Sequence, residues 1–400
     1  MKALAIMVGL VLLLSGCAEE LTVPGHCPEF CPVGVPVVQD TIILATPGSD
    51  TTFVGYTGWE DLPAVLASAN LPGRETRAWY RFPPRPDSVS VSGVVDTLKP
   101  YTIDSVVIGV NLVARDTTLP GLVLYIHKIP YTVDTLTDFA TLDGYLTPAT
   151  LIDSIVVPDS AKRGPVKVTL KGSALDRLVF APEDSGRLAI GVQLPVSAAT
   201  GVRLGTLAST TGTAQYATFV RVEAQDTTKR KQTISLTAIA NGYVQSPSPT
   251  QDPDLLWVGR TPGSRSLIRF AVPAAILDSS TLIRATLEFT PAEPLYGLPT
   301  DPAAMEVRAI IKDLGAKSTP SFLLRGYQLL PFGGSAVFGI DVLKVVSLWG
   351  GAKPLPQALI VSEQPEGGTF HQPVFFSSRS PAGGPQLRIT YIRPPQVEKP

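Results

Sequence analysis

The sequence predicts an all-β protein of two tandem antiparallel β-sandwich domains, jelly-roll-like, with one or two short helices. Three observations carry this. Prolines number 38 and glycines 34 in 400 residues, which leaves little room for long helices; the combined share stays below the roughly 25–30% that signals disorder. Thr, Val and Ile are abundant and recur in short alternating runs, the pattern of half-buried strands. Landmarks in the first half return in the same order in the second, the mark of a duplicated unit. Apolar residues make up 44% of the chain, enough for two buried cores.

The amino end reads as a leader. Lys2 precedes an apolar run from Ala3 to Leu14; at about 12 residues it is too short to cross a bilayer but suits a signal peptide. Leu14-Ser15-Gly16-Cys17 resembles a bacterial lipobox. The resemblance implies that residues 1–16 are removed and that Cys17 is acylated, and more than one acyl chain gives stable membrane anchoring. Ala18 after the cysteine favours, by the sorting rules of such proteins, the outer membrane of a two-membraned cell. An ordinary secretory signal with a chance cysteine is the alternative.

Residues 17–39 read as a proline-stiffened tether. Cys27 and Cys31 lie within Pro24-Gly25-His26-Cys27-Pro28-Glu29-Phe30-Cys31-Pro32. In an oxidising exported setting they predict a local disulfide. The other reading is a metal site of His26, Cys27, Glu29 and Cys31, whose spacing matches no standard zinc pattern.

The repeat divides the rest into a first sandwich over 40–224, a polar linker over 225–232, a second sandwich over 233–393 and a tail over 394–400. Thr41-Ile42-Ile43-Leu44-Ala45 answers Thr233-Ile234-Ser235-Leu236-Thr237. Val54-Gly55-Tyr56-Thr57-Gly58 answers Val258-Gly259-Arg260-Thr261-Pro262-Gly263. Arg77-Ala78-Trp79-Tyr80-Arg81-Phe82 answers Arg265-Ser266-Leu267-Ile268-Arg269-Phe270. The series continues from Ile103–Val110 to Leu282–Phe289, Leu188–Val192 to Ala358–Val361, and Ala217–Val222 to Gln386–Tyr391. Within these runs Val106, Ile108 and Val110 share one face, as do Val166, Val168 and Leu170, and Ile268 and Phe270. Two short helices are predicted: one from Asp61 to Asn70 with Pro63 in its first turn, and one after Asp341 with Val342, Val345, Val346 and Trp349 at helical spacing before Gly350-Gly351.

The second copy resembles a DNRLRE domain. The residues that carry the resemblance are Val258-Gly259, Arg265–Phe270, Ala285-Thr286-Leu287, Asp341 through Gly351, Leu359-Ile360-Val361, Phe375–Ser378 and Pro385–Tyr391. Such domains are similar to disaggregatase-related carbohydrate-binding modules, including family 96. The resemblance covers about 233–393, and 40–224 more faintly. It implies a β-sandwich on a surface protein and a polysaccharide as ligand.

The residues themselves offer little catalytic chemistry. The three histidines are His26, His127 and His371, read respectively as part of the tether, a strand residue and a loop residue. There is no Gly-x-Ser-x-Gly elbow and no P-loop, and the net charge of −1 gives no footprint for nucleic acid. No catalytic residue and no cofactor is assigned. Binding is the better reading, because sugars are gripped by aromatic faces ringed with polar groups. Tyr56, Trp59 and Tyr243 are the surface aromatic candidates, and Arg260, Arg265 and Arg269 would suit an acidic polysaccharide. Trp257 and Trp349 read as core. A structural Ca²⁺ at Asp252-Pro253-Asp254 rests on carboxylate proximity alone. The expected function is a membrane-anchored, non-catalytic surface lipoprotein that binds a polysaccharide or cell-wall polymer or serves as an adhesive part. One rival is a protein-docking subunit of an envelope export or uptake complex, using strand edges. The other is a polysaccharide-degrading enzyme with an unrecognised cleft.

Overall fold

The computed structural model describes residues 37–55, 62–71, 75–90, 98–178, 186–209, 212–223, 229–247, 252–259, 263–298 and 303–393. They form an all-β molecule of antiparallel sheets with short helices only. Among the described residues no helix is long and apolar enough to cross a membrane.

In chain order the strands are β1 (Val37–Leu44), β2 (Thr51–Val54), β3 (Val65–Ala69), β4 (Thr76–Arg81), β5 (Val89–Ser90), β6 (Leu98–Lys99), β7 (Tyr101–Arg115), β8 (Val123–Lys128), β9 (Leu151–Val156), β10 (Gly164–Lys171), β11 (Ala189–Gln193) and β12 (Thr200–Leu204). Then follow β13 (Gln215–Glu223), β14 (Lys229–Thr237), β15 (Ala240–Gln245), β16 (Leu255–Trp257), β17 (Ser264–Arg269), β18 (Thr281–Phe289), β19 (Ala303–Lys312), β20 (Thr319–Leu330), β21 (Phe338–Asp341), β22 (Ala358–Glu363), β23 (Val374–Phe376) and β24 (Gln386–Arg393). The α-helices are α1 (Phe139–Tyr145), α2 (Ala274–Leu277) and α3 (Leu343–Val346).

One sandwich stacks the sheet β14-β13-β7-β12-β3, with β10 also on β7, against the sheet β15-β4-β11-β8-β9. Its core takes the inward side chains of alternating strands: Ala78, Tyr80 and Phe82 after and within β4, Val106, Ile108 and Val110 of β7, Val166 and Leu170 of β10. The other stacks β1-β24-β18-β21 against β2-β17-β22-β19-β20, with β16-β23 beside them. Its core holds Ile268, Phe270, Leu287, Val307, Leu359, Ile389 and Tyr391. Phe289 lies 5.5 Å from Phe338 and 5.0 Å from Phe375, centroid to centroid, at the contact spacing of aromatic pairs.

The two strand orders superimpose in kind. β14, β13, β7 and β10 of one sandwich occupy the places of β1, β24, β18 and β21 in the other. β15, β4, β11, β8 and β9 likewise match β2, β17, β22, β19 and β20, and β3-β12 matches β16-β23. The first two strands of each unit are nevertheless exchanged. β1 and β2, upstream of the first sandwich, pair with β24 and β17 of the second. β14 and β15 pair with β13 and β4 of the first. The first sandwich is therefore an insertion between β2 and β16.

This corrects the expected partition. Residues 40–54 belong to the second sandwich, not the first, and residues 229–245 belong to the first, not the second. Of the expected linker over 225–232, residues 229–232 lie in β14, which pairs with β13 along its whole length, and 225–228 lie outside the described residues. The physical reason is that either pair of edge strands presents the same alternation to either slot, so pattern alone does not choose. The helix expected over Asp61–Asn70 is corrected too. Residues 65–69 form β3, buried along its length and paired with β12, and Asn70 ends it with φ at 53°. The second expected helix is present as the single turn α3, where the Asp341 carboxylate accepts from the Leu343 N–H at 2.9 Å and Val345, Val346 and Trp349 are buried.

The sandwiches are joined by the segment between β22 and β23. Phe370 sits in the core of the first sandwich, its ring packed so closely on Gly201 that a Cβ there would meet it at 2.5 Å. The Gly368 N–H donates to the Tyr243 hydroxyl at 3.2 Å. Beside them the fully buried Glu363 accepts from Thr369 Oγ1 at 2.8 Å and lies 3.0 Å from His371 Nδ1. Burial raises the Glu363 pKa, and the bonds from His371 and Thr369 offset this in part. His371 is thus a buried seam residue.

Candidate functional site

Each sandwich has an outer sheet face on the β4-type strands, and each carries a satellite apolar cluster there, with different extents of cover. In the first, Arg77, Trp79 and Arg81 of β4 point away from the main core. The chain from Ile129 to Thr147, including α1, folds over them. Ile129, Val133, Leu142 and Leu146 bury Trp79 in a satellite core with Ala189 and Val244. The α1 N-cap is Asp138, whose carboxylate accepts from the Thr141 N–H at 2.7 Å, which also lowers its pKa. Arg77 Nε reaches Asp143 at 2.6 Å and its guanidinium lies 5.0 Å from the Phe139 ring centroid. This face is sealed. His127, on neighbouring β8, is buried with Nδ1 at 3.1 Å from the Thr147 carbonyl and 3.2 Å from Thr150 Oγ1; burial lowers its pKa, leaving it neutral.

In the second sandwich Leu267, Ile310, Ala358 and Ile360 are buried on the corresponding face, with Phe53 against them, and the face stays open at the β19-β20 edge. Glu306 is opposite Tyr327, and Arg308 opposite Arg325, so their side chains rise as direct cross-strand neighbours. Glu306 is 1% exposed and ties the group together. Its Oε2 accepts from Arg308 Nε at 2.6 Å and Gln364 Nε2 at 2.8 Å, and its Oε1 accepts from Arg325 Nη1 at 2.9 Å. Burial opposes its charge, but the bonds from Arg308 and Arg325 outweigh this and its pKa falls below the ordinary value.

Aromatic surface frames this cluster. The β19-β20 register shifts between Arg308 and Ile310, and Ser321 Oγ accepts from the Leu323 and Leu324 N–H groups at 3.3 and 3.2 Å. The irregularity re-aims the side chains there. Phe322 is left 78% exposed and Leu323 90% exposed, with Tyr327 at 55%. The Arg308 guanidinium lies 5.6 Å from the Phe322 ring centroid, fixing one ring face and leaving the other to solvent. The product is a surface with two exposed rings, Phe322 beside Arg308 and Tyr327 opposite Glu306, next to an oriented set of guanidinium, carboxylate and amide groups.

The residues singled out from sequence fare differently. Tyr243 is fully buried, and burial raises its pKa; it is not a surface ligand group. It lies on β15, where Gly242 lets the strand close against Trp79; a Cβ at Gly242 would meet that ring at 2.7 Å. Arg265 is held by Glu366 through two bonds of 2.5 and 2.6 Å. Arg269 is held by Asp313 at 2.6 and 2.8 Å and by the Ser49 carbonyl at 2.7 Å. The bonds from Arg269 bring the Asp313 pKa to about 2. These two arginines are therefore committed to internal pairs and are corrected as anion ligands. Trp257 and Trp349 are buried. At Asp252-Pro253-Asp254 one carboxylate oxygen of Asp252 accepts from the Asp254 N–H at 2.9 Å, a turn bond. Among the described residues no group of three or more His, Cys, Asp or Glu side chains is placed to hold a metal. Cys17, Cys27, Cys31, Tyr56, Trp59 and Arg260 lie outside the described residues.

Sequence reasoning missed Glu306, Arg308, Phe322, Arg325 and Tyr327. The signal was available in β20, where Phe322-Leu323 beside Arg325 and Tyr327 supplies more apolar groups than one inward face can take.

No model of a protein family matches the chain, and no curated protein matches it. Among solved structures, the N-terminal CBM22-1-CBM22-2 tandem domain from Paenibacillus barcinonensis Xyn10C is similar at 7% identity, over 89% of this chain and 99% of that chain, with a TM-score of 0.16. Overlap that slight assigns neither a fold nor a ligand.

Proposed function

We propose that this protein is a non-catalytic surface lipoprotein of the DNRLRE-like kind, anchored through Cys17 in the outer membrane, that binds a polysaccharide on the β19-β20 face of its second sandwich. The observation that carries the reading is the pairing of Phe322 and Tyr327, both exposed, with the Glu306, Arg308, Arg325 and Gln364 cluster next to them. A pyranose ring offers an apolar C–H face to aromatic rings and hydroxyls to fixed donors and acceptors at its edge. Preorganisation matters here, because the charged groups are already held by one another and little ordering is needed on binding.

The test is binding to a panel of soluble and insoluble polysaccharides by affinity electrophoresis and pull-down. Phe322→Ala with Tyr327→Ala abolishes retention while circular dichroism and melting stay unchanged. Retention unaltered by the double substitution defeats the reading. Anchoring is tested separately: Cys17→Ser moves the protein from the membrane to the soluble fraction.

A second reading has its own observation. Among the described residues β20 pairs with β19 alone and stands at the end of its sheet, with Leu323 almost fully exposed. An extended segment of a protein partner would add there as a further strand. Co-purification with an envelope protein that is lost on Leu323→Lys, with no polysaccharide retained, favours this alternative.

A further inference from the structure

Away from the β19-β20 face, at the opposite edge of the same sheet, lies a cavity of about 330 Å³ lined by Thr51, Thr52, Asp252, Pro253, Leu255, Leu256 and Arg379. Its size is at the lower end of small-ligand sites. It is built by the exchange of strands described above. Thr51 and Thr52 belong to β2, Leu255 and Leu256 to β16, and the Asp252–Asp254 turn leads into β16.

The rim is rigid. Arg379 Nη1 donates to the Asp50 and Pro253 carbonyls at 3.1 and 3.2 Å, and Nη2 to the Gly48 carbonyl at 3.0 Å. Asp50 Oδ1 lies 3.5 Å from the same guanidinium and anchors Ser378. Thr52 Oγ1 is 3.1 Å from Ser266 Oγ and accepts from the Trp257 N–H at 3.0 Å. Three polar groups remain without a protein partner among the described residues: the Thr51 hydroxyl, the second carboxylate oxygen of Asp252 and Nε of Arg379. All three belong to residues that line the cavity together with Pro253, Leu255 and Leu256.

We infer that this cavity is a second carbohydrate subsite, taking one neutral hexose residue through a carboxylate, a guanidinium and a hydroxyl. The inference rests on the reading of the protein as a polysaccharide binder and adds a site and a specificity to it. A vicinal pair of hydroxyls donates to Asp252 and accepts from Arg379, while the C–H face of the ring lies on Pro253 and Leu255. Charge sets the preference. Asp252 lines the cavity, while the guanidinium of Arg379 is already paired with the carboxylate of Asp50, which is buried outside the lining, at 3.5 Å, so a uronic acid meets the uncompensated charge of Asp252 and a neutral sugar does not. A ligand of a dozen heavy atoms in an open cavity binds with a dissociation constant on the order of millimolar.

The experiment uses the purified full chain, isotope-labelled, titrated with D-glucose, D-galactose, D-mannose and D-glucuronic acid. At least one neutral hexose shifts the amide resonances of Thr51, Leu255 and Leu256 saturably, and glucuronic acid binds at least tenfold more weakly. Asp252→Asn keeps the turn bond to Asp254, and Thr51→Val keeps the strand; each weakens the hexose tenfold or more with an unchanged melting curve. Absence of shifts at those amides in the wild-type protein overturns the inference, as does equal or tighter binding of glucuronic acid, or titrations unchanged by both substitutions. The two sites separate cleanly. If Phe322→Ala with Tyr327→Ala leaves polymer retention intact while hexose still shifts Thr51, the sheet-face reading fails and the cavity stands; polymer retention with silent cavity amides does the reverse.

Discussion

Asp50 precedes the whole first sandwich in sequence, yet its loss is expected to loosen the second. Its carboxylate is fully buried and accepts from the Ser378 N–H at 2.6 Å and from Ser378 Oγ at 2.6 Å, with Arg379 at 3.5 Å. Hydrogen bonds to a charged group contribute about 1.5–3 kcal/mol each. Two of them give about 3–6 kcal/mol, and the partly exposed Arg379 adds at most about 1 kcal/mol. Ser378 is half-buried, so water recovers part of what Asp50→Ala removes; the net loss is about 3–4 kcal/mol, in the range for breaking a buried charged contact. Converted at 1.4 kcal/mol per decade, opening of the second sandwich becomes about 100- to 1000-fold more frequent. Hydrogen exchange read by mass spectrometry locates the effect. Protection falls by two to three decades in peptides covering β17, β18 and β24, and holds in those covering β4, β7 and β13. Asp50→Asn keeps one acceptor and gives an intermediate loss. A loss below about 1 kcal/mol in urea melts, or exchange that rises in β4 and β13 instead, refutes the assignment of residues 37–54 to the second sandwich.

Three further outcomes follow from contacts already described. Asp313, with its pKa depressed from 3.8 to about 2 by Arg269, contributes stability at full strength above the unfolded value, and this is lost as pH falls toward 2. The shift of about two units is discounted for partial exposure to about 1 kcal/mol, so urea midpoints of wild type and Asp313→Asn differ above pH 4 and converge below it. Phe370→Ala empties the seam and costs about 3–5 kcal/mol; calorimetry then resolves two transitions, and one unshifted transition counts against the seam. Tyr243→Phe removes the hydroxyl that accepts from the Gly368 N–H, costs about 1 kcal/mol and leaves polysaccharide retention unchanged; a binding defect would restore Tyr243 as a ligand residue.

Much of the fold is readable because strand burial has period two. Val106, Ile108 and Val110, or Ile268 and Phe270, declare an inward face before any partner is known. The partition was not readable. Thr41-Ile42-Ile43-Leu44 and Thr233-Ile234-Ser235-Leu236 are near-equivalent strands, and which slot each fills depends on tertiary pairing that no local pattern encodes. Val65–Ala69 is buried on both faces, so it lacks the alternation that separates strand from helix. Tyr243 reads as a surface aromatic from sequence, but it lies on β15, where Gly242 serves to admit Trp79. The candidate site was hidden for a different reason. Glu306, Arg325 and Gln364 are distant in sequence, and only the β19-β20 register and the exit of β22 bring them within hydrogen-bond reach.

Val37 stands opposite Arg393 on the β1-β24 ladder, so the two ends of the described chain leave the same sandwich side by side. Tension applied at the amino end is carried by that ladder and by the sheets it completes. Under the proposed anchoring at Cys17 and binding on β19-β20, the first sandwich, spliced in between β2 and β16, lies off the path that joins anchor to ligand.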